Sequence, residues 1–202
     1  YMYERSVGGN AILLLNLPPD NQGRFPEKDL KTLEETGRRI RETYGIDLLE
    51  DAKCPKALLD NDIDTYIKVN DGEDFVVTLP EKRWINRIVL QEAIATVGER
   101  AERFAVDARI DGEWKEIATS TNIGHKRILR VNDMETDALR FRLLQSRAMV
   151  AISKISAHYS HWSPFCGNPF DTPELQEYDK NAWKTEGNSN VLVLGGQRRL
   201  GG

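Results

Sequence analysis

The feature that most limits the folding of this chain is an apolar run of strand length at residues 11–17, AILLLNL. Turn-forming residues bound the run on both sides, Gly8-Gly9-Asn10 before it and Pro18-Pro19 after it. Because polar and apolar residues do not alternate in it, the run is typical of a strand buried on both faces, as in the parallel sheet of an α/β barrel. Such a strand needs a neighbour on each side, yet only about ten residues precede it. The sequence therefore predicts that the chain is a fragment of a longer protein.

The residues around this run resemble a motif of one enzyme family. A segment of the form SVGxNxxLLLNxPPD closes the catalytic barrel of the family 29 α-L-fucosidases, which are glycoside hydrolases. The residues that match it here are Ser6, Val7, Gly8, Asn10, Leu13, Leu14, Leu15, Asn16, Pro18, Pro19 and Asp20. The resemblance implies that residues 1–20 are the end of an α/β-barrel catalytic domain, reduced in this chain to one residual barrel strand.

A connector helix is predicted next, within residues 21–45. Apolar side chains fall on one face at near-helical spacing, acidic residues lie early and arginines late, and Gly45 is a natural terminator. In the family 29 α-L-fucosidases a helix ending in G-x-x-I-x-x-T-[FY] follows the barrel. The residues that match this ending are Gly37, Ile40, Thr43 and Tyr44.

From residue 46 onward the sequence changes to short runs of alternating apolar residues. Turn residues separate these runs, and Asp111-Gly112 is a strong hairpin signal among them. The predicted strands cover residues 75–79, 85–91, 104–110, 114–118, 127–131, 139–143 and 152–159. Repeated short strands of this kind predict a mainly β fold, an antiparallel β-sandwich of jelly-roll-like form over residues 46–160.

This region resembles the discoidin-like module, also called the coagulation factor V/VIII type C domain or carbohydrate-binding module family 32. The segments that carry the resemblance are 57–66, 88–92 (IVLQE), 104–106, 111–118, 123–128 (IGHKRI) and 146–148 (SRA). Residues 161–202 resemble no known family and form a C-terminal extension of unknown role; residues 191–194 are predicted to form a short strand there.

Charge and composition exclude several classes of protein. A net charge of -4 over 202 residues gives no basic footprint for nucleic acid. No apolar stretch reaches the roughly eighteen residues that a membrane-spanning helix needs. Cys54 and Cys166 fit no metal-ligand spacing, and two alternatives stay open for them, namely two buried free thiols or one disulfide. No secretion signal is visible, and the family resemblance implies a secreted or periplasmic parent protein.

Hydrolysis of a glycosidic bond needs two carboxyl groups flanking it, about 5–5.5 Å apart when the configuration is retained. The resemblance implies a retaining mechanism whose two carboxylates lie in the barrel, upstream of residue 6. The carboxylate pairs present in this chain are typical of solvated faces and turns; they are Glu34-Glu35, Glu50-Asp51, and Asp171 with Glu174. The chain alone is therefore predicted to be catalytically inactive.

Sugar binding by discoidin-like modules combines an aromatic platform with planar polar side chains on loops at one end. The resemblance implies that the carbohydrate-binding candidates are Gln91, Glu92, His125, Lys126 and Arg147. The aromatic part is weak, because Ile67 stands where many such modules carry tryptophan, and Trp84 and Trp114 are predicted to pack in the core or at its rim. An equally good alternative is that the polar groups form internal bonds or contact the absent barrel.

Residues 60–65, DNDIDT, form a loop rich in the oxygen ligands that calcium prefers. The resemblance implies a structural calcium held by Asp60, backbone carbonyls and Thr65, and completed by a glutamate of the closing strand. Lys154 stands where that glutamate would be, and its ammonium could pair with Asp60 or Asp62 and replace the metal. Both alternatives stay open, and no other cofactor is expected.

Two functions are consistent with these features. The first is the C-terminal accessory region of a retaining α-L-fucosidase, in which the sandwich supports the catalytic barrel and binds carbohydrate. The second is a stand-alone carbohydrate-binding or adhesion module without hydrolase activity. The expected partners are fucosylated or galactosylated glycans, the missing barrel, and a second copy of the chain through the unpaired strand at residues 11–17.

Overall fold

The computed structural model describes residues 2–162 and, further along, the backbone of three short strands. Its helices are α1 (Met2–Ser6), α2 (Glu27–Tyr44) and one turn of 3-10 helix (Lys56–Leu58). The strands up to residue 162 are β1 (Ile67–Val69), β2 (Asp74–Glu92), β3 (Ala101–Ile110), β4 (Glu113–Ser120), β5 (Arg127–Ser146) and β6 (Val150–His158).

The six strands form one antiparallel sheet in the order β1-β6-β2-β5-β3-β4. Two long strands at its centre, β2 and β5, each take part in two different halves of the sheet. Residues 74–78 of β2 pair with 138–142 of β5, beside β3, whereas residues 87–90 pair with 127–130 of β5 on one side and with β6 on the other. Shifts of register between Thr78 and Arg83, and again between Ile85 and Arg87, separate these halves. The mainly β, antiparallel, sandwich-like prediction is confirmed.

Side chains from both halves of the sheet share one apolar core. Phe141 of β5 is fully buried and stacks between Phe75 and Phe104, with ring centroids 5.0 and 5.5 Å away. The same cluster includes Ile88 and Ile152 from the other half. The register breaks in the long strands therefore allow a continuous sheet to enclose its own core, which is how a sandwich buries its apolar faces.

The predicted connector helix and hairpin form close to where the sequence places them. Helix α2 begins at Glu27, directly after Pro26, and ends at Tyr44, where the N–H of Gly45 donates to the carbonyl of Arg41. Asp111 and Gly112 have φ values of 53° and 83°, as a two-residue turn between twisted antiparallel strands requires. Both elements depend on local chemistry, which is why the sequence specifies them well.

Residues 11–17 do not form the predicted strand in this structure. These residues have no regular secondary structure, and Ile12 and Leu14 are 91% and 90% exposed. A strand is stabilised by hydrogen bonds to its neighbours, and the segment has no strand beside it in the described part of the chain. Its remaining leucines, Leu13, Leu15 and Leu17, instead line a groove with apolar residues of α2.

Residues 171–202 form a separate compact unit. Its described part is a three-stranded antiparallel sheet of β7 (Trp183–Thr185), β8 (Val191–Leu194) and β9 (Gln197–Leu200), in that order. The strand predicted at residues 191–194 is confirmed as β8. Cys54 is a free thiol, whereas Cys166, Asp171 and Glu174 lie outside the described residues.

Truncation of the central core ring should destabilise the fold strongly. We expect Phe141→Ala to lower the free energy of unfolding by about 3–5 kcal/mol, because it leaves a cavity between two stacked rings. Trp84→Ala is the matched control, since that ring is 55% exposed and its loss should change stability little. Chemical denaturation followed by circular dichroism measures both variants. Equal effects of the two substitutions would contradict this description of the core.

Candidate functional site

Nine side chains form a regular array on the outer face of the sheet, where β5, β2 and β6 lie side by side. Because side chains alternate between faces along a strand, residues paired across these strands line up in rows. The three rows are Lys126-Gln91-Lys154, Ile128-Val89-Ser156 and Arg130-Arg87-His158, with Lys126 placed by the pairing of its neighbour Arg127 with Leu90. The array contains four basic side chains, two lysines and two arginines, and no acidic side chain of its own.

The N-terminal helix supplies the missing negative charge to the third row. Glu4 is buried, and its Oε1 lies 2.5 Å from Nε of Arg87, while its Oε2 lies 3.3 Å from Nε of Arg130. The hydroxyl of Tyr44, at the end of α2, donates to the same carboxylate over 2.8 Å. This contact fixes both α1 and the end of α2 against the sandwich.

The pKa values of these groups follow from their burial and their charges. Burial alone would raise the pKa of Glu4, but Arg87, Tyr44 and Arg130 outweigh it and lower the pKa of that carboxyl below its ordinary value. Burial, together with the negative charge of Glu4, raises the pKa of Tyr44, which therefore stays a protonated donor.

His158 ends the third row as a buried imidazole whose pKa burial lowers. Its Nδ1 lies 2.6 Å from the carbonyl oxygen of Ile46, and its Nε2 lies 2.9 Å from Oγ of Ser156. In the neutral ring, Nδ1–H therefore donates to the carbonyl, and Nε2 accepts from the serine hydroxyl.

Residues 8–10 continue along the edge of the sheet beside the start of β5. The N–H of Ile128 donates to the carbonyl of Gly8 over 2.8 Å, and the N–H of Asn10 donates to the carbonyl of Lys126 over 3.1 Å. The side chain of Asn10 accepts a hydrogen bond from the N–H of His125 over 2.7 Å. A Cβ on Gly8 would lie 2.6 Å from Cβ of Ile128, so only glycine permits this approach. The SVGGN motif thus contacts the sandwich directly.

The predicted carbohydrate-binding residues do not form one site. Gln91 and Lys126 line a polar cleft of about 380 Å³ over the first row of the array. Nε2 of Gln91 donates to the carbonyl of His125 over 2.8 Å, but the exposed imidazole of His125 does not line this cleft. Arg147 lies in a different groove, where it pairs with Glu102 over 2.8 Å.

Glu92 forms internal bonds, which is one of the two alternatives that the sequence left open for it. It is 3% exposed, and its carboxylate accepts hydrogen bonds from the N–H groups of Arg100 (2.9 Å), Ala101 (3.1 Å) and Gly124 (2.8 Å). Burial raises the pKa of Glu92, and the three N–H donors oppose that rise. Both of its oxygens therefore hold the protein's own loops together.

An exposed aromatic patch is the feature that the sequence analysis missed. Trp84 lies at the rim with more than half of its surface exposed, in a shallow site shared with Tyr159 and His161, whose rings are 4.7 Å apart. Trp114, in contrast, is covered by the guanidinium of Arg140, 4.8 Å from the ring centre. The strand register places Trp84 between two breaks in β2, a position that hydrophobic periodicity could not locate.

The loop at residues 60–65 is closed by its own hydrogen bonds. The hydroxyl of Thr65 donates to the carboxylate of Asp60 over 2.7 Å, and the N–H of Asp62 donates to the same group over 2.9 Å. Lys154 reaches this loop, and its ammonium donates to the amide oxygen of Asn61. Its pairing with Asp60 or Asp62 is one of the two alternatives that the sequence left open. Within residues 2–162, no group of three or more histidine, cysteine, aspartate or glutamate side chains could hold a metal ion.

No helix of the described chain is long and apolar enough to cross a membrane.

Comparison with known proteins identifies relatives of this fold. α-L-Fucosidase 1 of Arabidopsis thaliana is 28% identical over 182 residues, which are 80% of this chain and 36% of that protein. A solved structure from Bacteroides ovatus, assigned to the α-L-fucosidases, is 31% identical with a TM-score of 0.70, and the match covers 95% of this chain and 30% of that one. This chain is related to the α-L-fucosidases.

A second solved structure extends that relationship to family 29. The family 29 fucosidase of Ruminococcus gnavus in complex with fucose is 27% identical with a TM-score of 0.72, over 80% of this chain and 36% of that one. The fucosidase-related chain spans about a third of the length of the plant relatives it matches. No family model matches it.

Removal of the Glu4 charge should loosen the N-terminal segment. We expect Glu4→Gln to lower the free energy of unfolding by about 3 kcal/mol, because it leaves two arginines buried without a counter-charge. Trypsin should also cleave the variant faster after Arg5. The matched control is Glu34→Gln, at an exposed position of α2.

The effect of Glu4→Gln should depend on pH with a definite sign. The folded-state pKa of Glu4 lies below the ordinary value of 4.5, so its stabilising effect is complete above pH 4.5 and is lost as the pH falls through the lowered pKa. The difference between wild type and variant should therefore close in acid. A difference that persists unchanged into strong acid would show that the Glu4 charge does not stabilise the segment.

Substitution of Glu92 should weaken the loops that it joins. We expect Glu92→Gln to cost about 1–3 kcal/mol, because an amide offers one oxygen to three N–H donors and sets an NH₂ group against one of them. Exposed Glu113 provides the control, Glu113→Gln. Thermal unfolding of both variants measures the effect, and an unchanged midpoint for Glu92→Gln would refute the structural role.

Proposed function

We propose that this chain is the non-catalytic C-terminal region of a retaining α-L-fucosidase that acts on fucosylated glycans. The observation that carries the proposal is the contact of residues 4–10 with the sandwich, through buried Glu4, close-packed Gly8 and hydrogen-bonded Asn10. These residues include the SVGGN motif that resembles the end of the fucosidase barrel. A sandwich that fixes this segment is suited to support the domain to which the segment belongs.

The carboxylates described in the chain support a non-catalytic role. Glu35 pairs with two arginines of its own helix, and Asp51 pairs with Arg83 over 2.6 Å. These groups take part in ion pairs on the surface, whereas a retaining pair must face one glycosidic bond from two sides. The catalytic acid/base and nucleophile are therefore proposed to lie in the barrel that precedes residue 6.

Carbohydrate binding is the second part of the proposal. The relative from Ruminococcus gnavus forms a complex with fucose, and this chain offers a polar cleft at Gln91 and Lys126 and a polar groove at Arg147. We propose that one of these surfaces contacts the glycan beside the catalytic barrel. A secreted or periplasmic location is proposed with it, from the resemblance alone.

The test of this proposal compares this chain with the longer protein encoded by its gene. We expect the longer protein to hydrolyse 4-nitrophenyl α-L-fucoside with retention, and residues 1–202 to give no hydrolysis above buffer. Glu4→Gln in the longer protein should lower its thermal midpoint more than Glu34→Gln does.

Two results would overturn the proposal. The first is hydrolysis by residues 1–202 alone. The second is a longer reading frame without a fucosidase barrel; combined with binding of this chain to fucosylated or galactosylated glycans on an array, it would favour the stand-alone binding module.

A further inference from the structure

The cations on the outer face of the sheet are not matched evenly by acidic groups. The third row, with Arg87 and Arg130, receives the carboxylate of Glu4. The first row, with Lys126 and Lys154, lines an open cleft instead. The same sheet face thus contains one pair of cations that already holds a carboxylate and a second pair that faces solvent.

The two lysines have few partners within residues 2–162. Lys154 donates to the amide oxygen of Asn61. The ammonium of Lys126, whose side chain is half-buried, makes no hydrogen bond or ion pair with any described residue. Burial and the charge of Lys154 both lower the pKa of Lys126, which is the expected result of two ammonium groups sharing a concave site.

Two acidic side chains line the same cleft, Asp47 and Glu50, and neither forms an ion pair with Lys126 or Lys154 among the described residues. Asp47 accepts hydrogen bonds from the N–H groups of Leu49 (2.9 Å) and Ala157 (3.2 Å), so it is already engaged by the backbone. Glu50 lines the cleft from an exposed position and forms no ion pair with a described residue.

We propose that this cleft binds an oxyanion carried by a sugar, either a sulfate ester or the carboxylate of a uronic acid, held between Lys126 and Lys154. The site does not depend on the fucosidase proposal, because both lysines belong to the sandwich. The family resemblance implies that Lys126 is a carbohydrate-binding candidate, and it gives neither lysine a role in binding an anion.

The geometry favours one anion on a small ligand over an extended acidic partner. Lys126 and Lys154 lie on the two sides of β2, and neighbouring strands are about 4.8 Å apart, so their backbones are separated by roughly 10 Å. Two lysine side chains can converge on a single anion across that span. The cleft volume of about 380 Å³ is in the range of small-molecule sites and accommodates a sugar ring.

The polar groups around the lysines suit a sugar that carries the anion. Gln91 lies between the two lysines, and its Nε2 donates to the carbonyl of His125. Its side-chain oxygen can therefore accept a hydrogen bond from a sugar hydroxyl. Asn61 and Ser156 add an amide and a hydroxyl to the walls. An inorganic anion would use the ammonium groups alone, so these additional contacts predict tighter binding of the substituted sugar.

Binding of matched ligands to the full chain tests the proposal. Isothermal titration or chemical-shift perturbation would compare galactose 6-sulfate and glucuronate with galactose, glucose and sodium sulfate. We expect the charged sugars to bind with a dissociation constant of about 1 mM or lower at low salt, and to bind more weakly as the ionic strength rises. Lys126→Gln and Lys154→Gln should each weaken binding at least about five-fold. Lys115→Gln, which removes the same charge at an exposed position of β4, should leave it unchanged.

Thermal unfolding separates loss of the site from loss of the fold. Lys126→Gln relieves the repulsion between the two ammonium groups, so its midpoint should equal or exceed that of wild type. Galactose 6-sulfate should raise the midpoint of wild type and of Lys115→Gln, but not that of either cleft variant. Equal binding of sodium sulfate would support the oxyanion site with a free anion as ligand. Equal binding of galactose, or retention of affinity in both cleft variants, would overturn the proposal.

Discussion

The rest of the structure depends on one buried carboxylate, that of Glu4, which pairs with both Arg87 and Arg130. Two guanidinium groups on neighbouring strands would be costly to bury without a negative charge, and the only acid placed between them by the described chain comes from outside the sheet. The carboxylate therefore ties the N-terminal helix to β2 and β5. Tyr44 adds the end of α2 to the same point.

Much of the outer face of the sheet is in contact with the N-terminal segment of the chain. Glu4 pairs with the arginines of its third row, the backbone of Gly8 packs on Ile128 of its middle row, and its first row lines the open cleft. Along the strands, the two arginines that bind the carboxylate of Glu4 are followed by the two lysines that line the cleft. The same sheet face thus has two pairs of basic side chains. The arginines bind the chain's own carboxylate, and the lysines are the pair for which we propose an anionic ligand.

Local chemistry explains which parts the sequence could predict. Gly45 ends α2 and Asp111-Gly112 forms the hairpin, since each acts through its own backbone. The two long strands were predicted as four shorter ones, because register breaks and Pro80 interrupt the alternation in β2. The sequence left internal bonds as one of two alternatives for Glu92, but it could not identify the bonding partners, because Gly124 is 32 residues away in sequence. Residues 11–17 do not form the predicted strand, because an apolar run favours burial but does not supply a neighbouring strand to pair with.

The approach of Gly8 to Ile128 has a consequence for exchanging modules between related enzymes. A boundary drawn by secondary structure would fall after α2, near Gly45, and would separate the sandwich from the residues that pack on it. A chimera joined there would take Gly8 and Glu4 from one parent and the sheet surface on which they pack from the other. The unit that can be transplanted intact begins at α1, so the inherited module includes the segment that sequence resemblance assigns to the barrel.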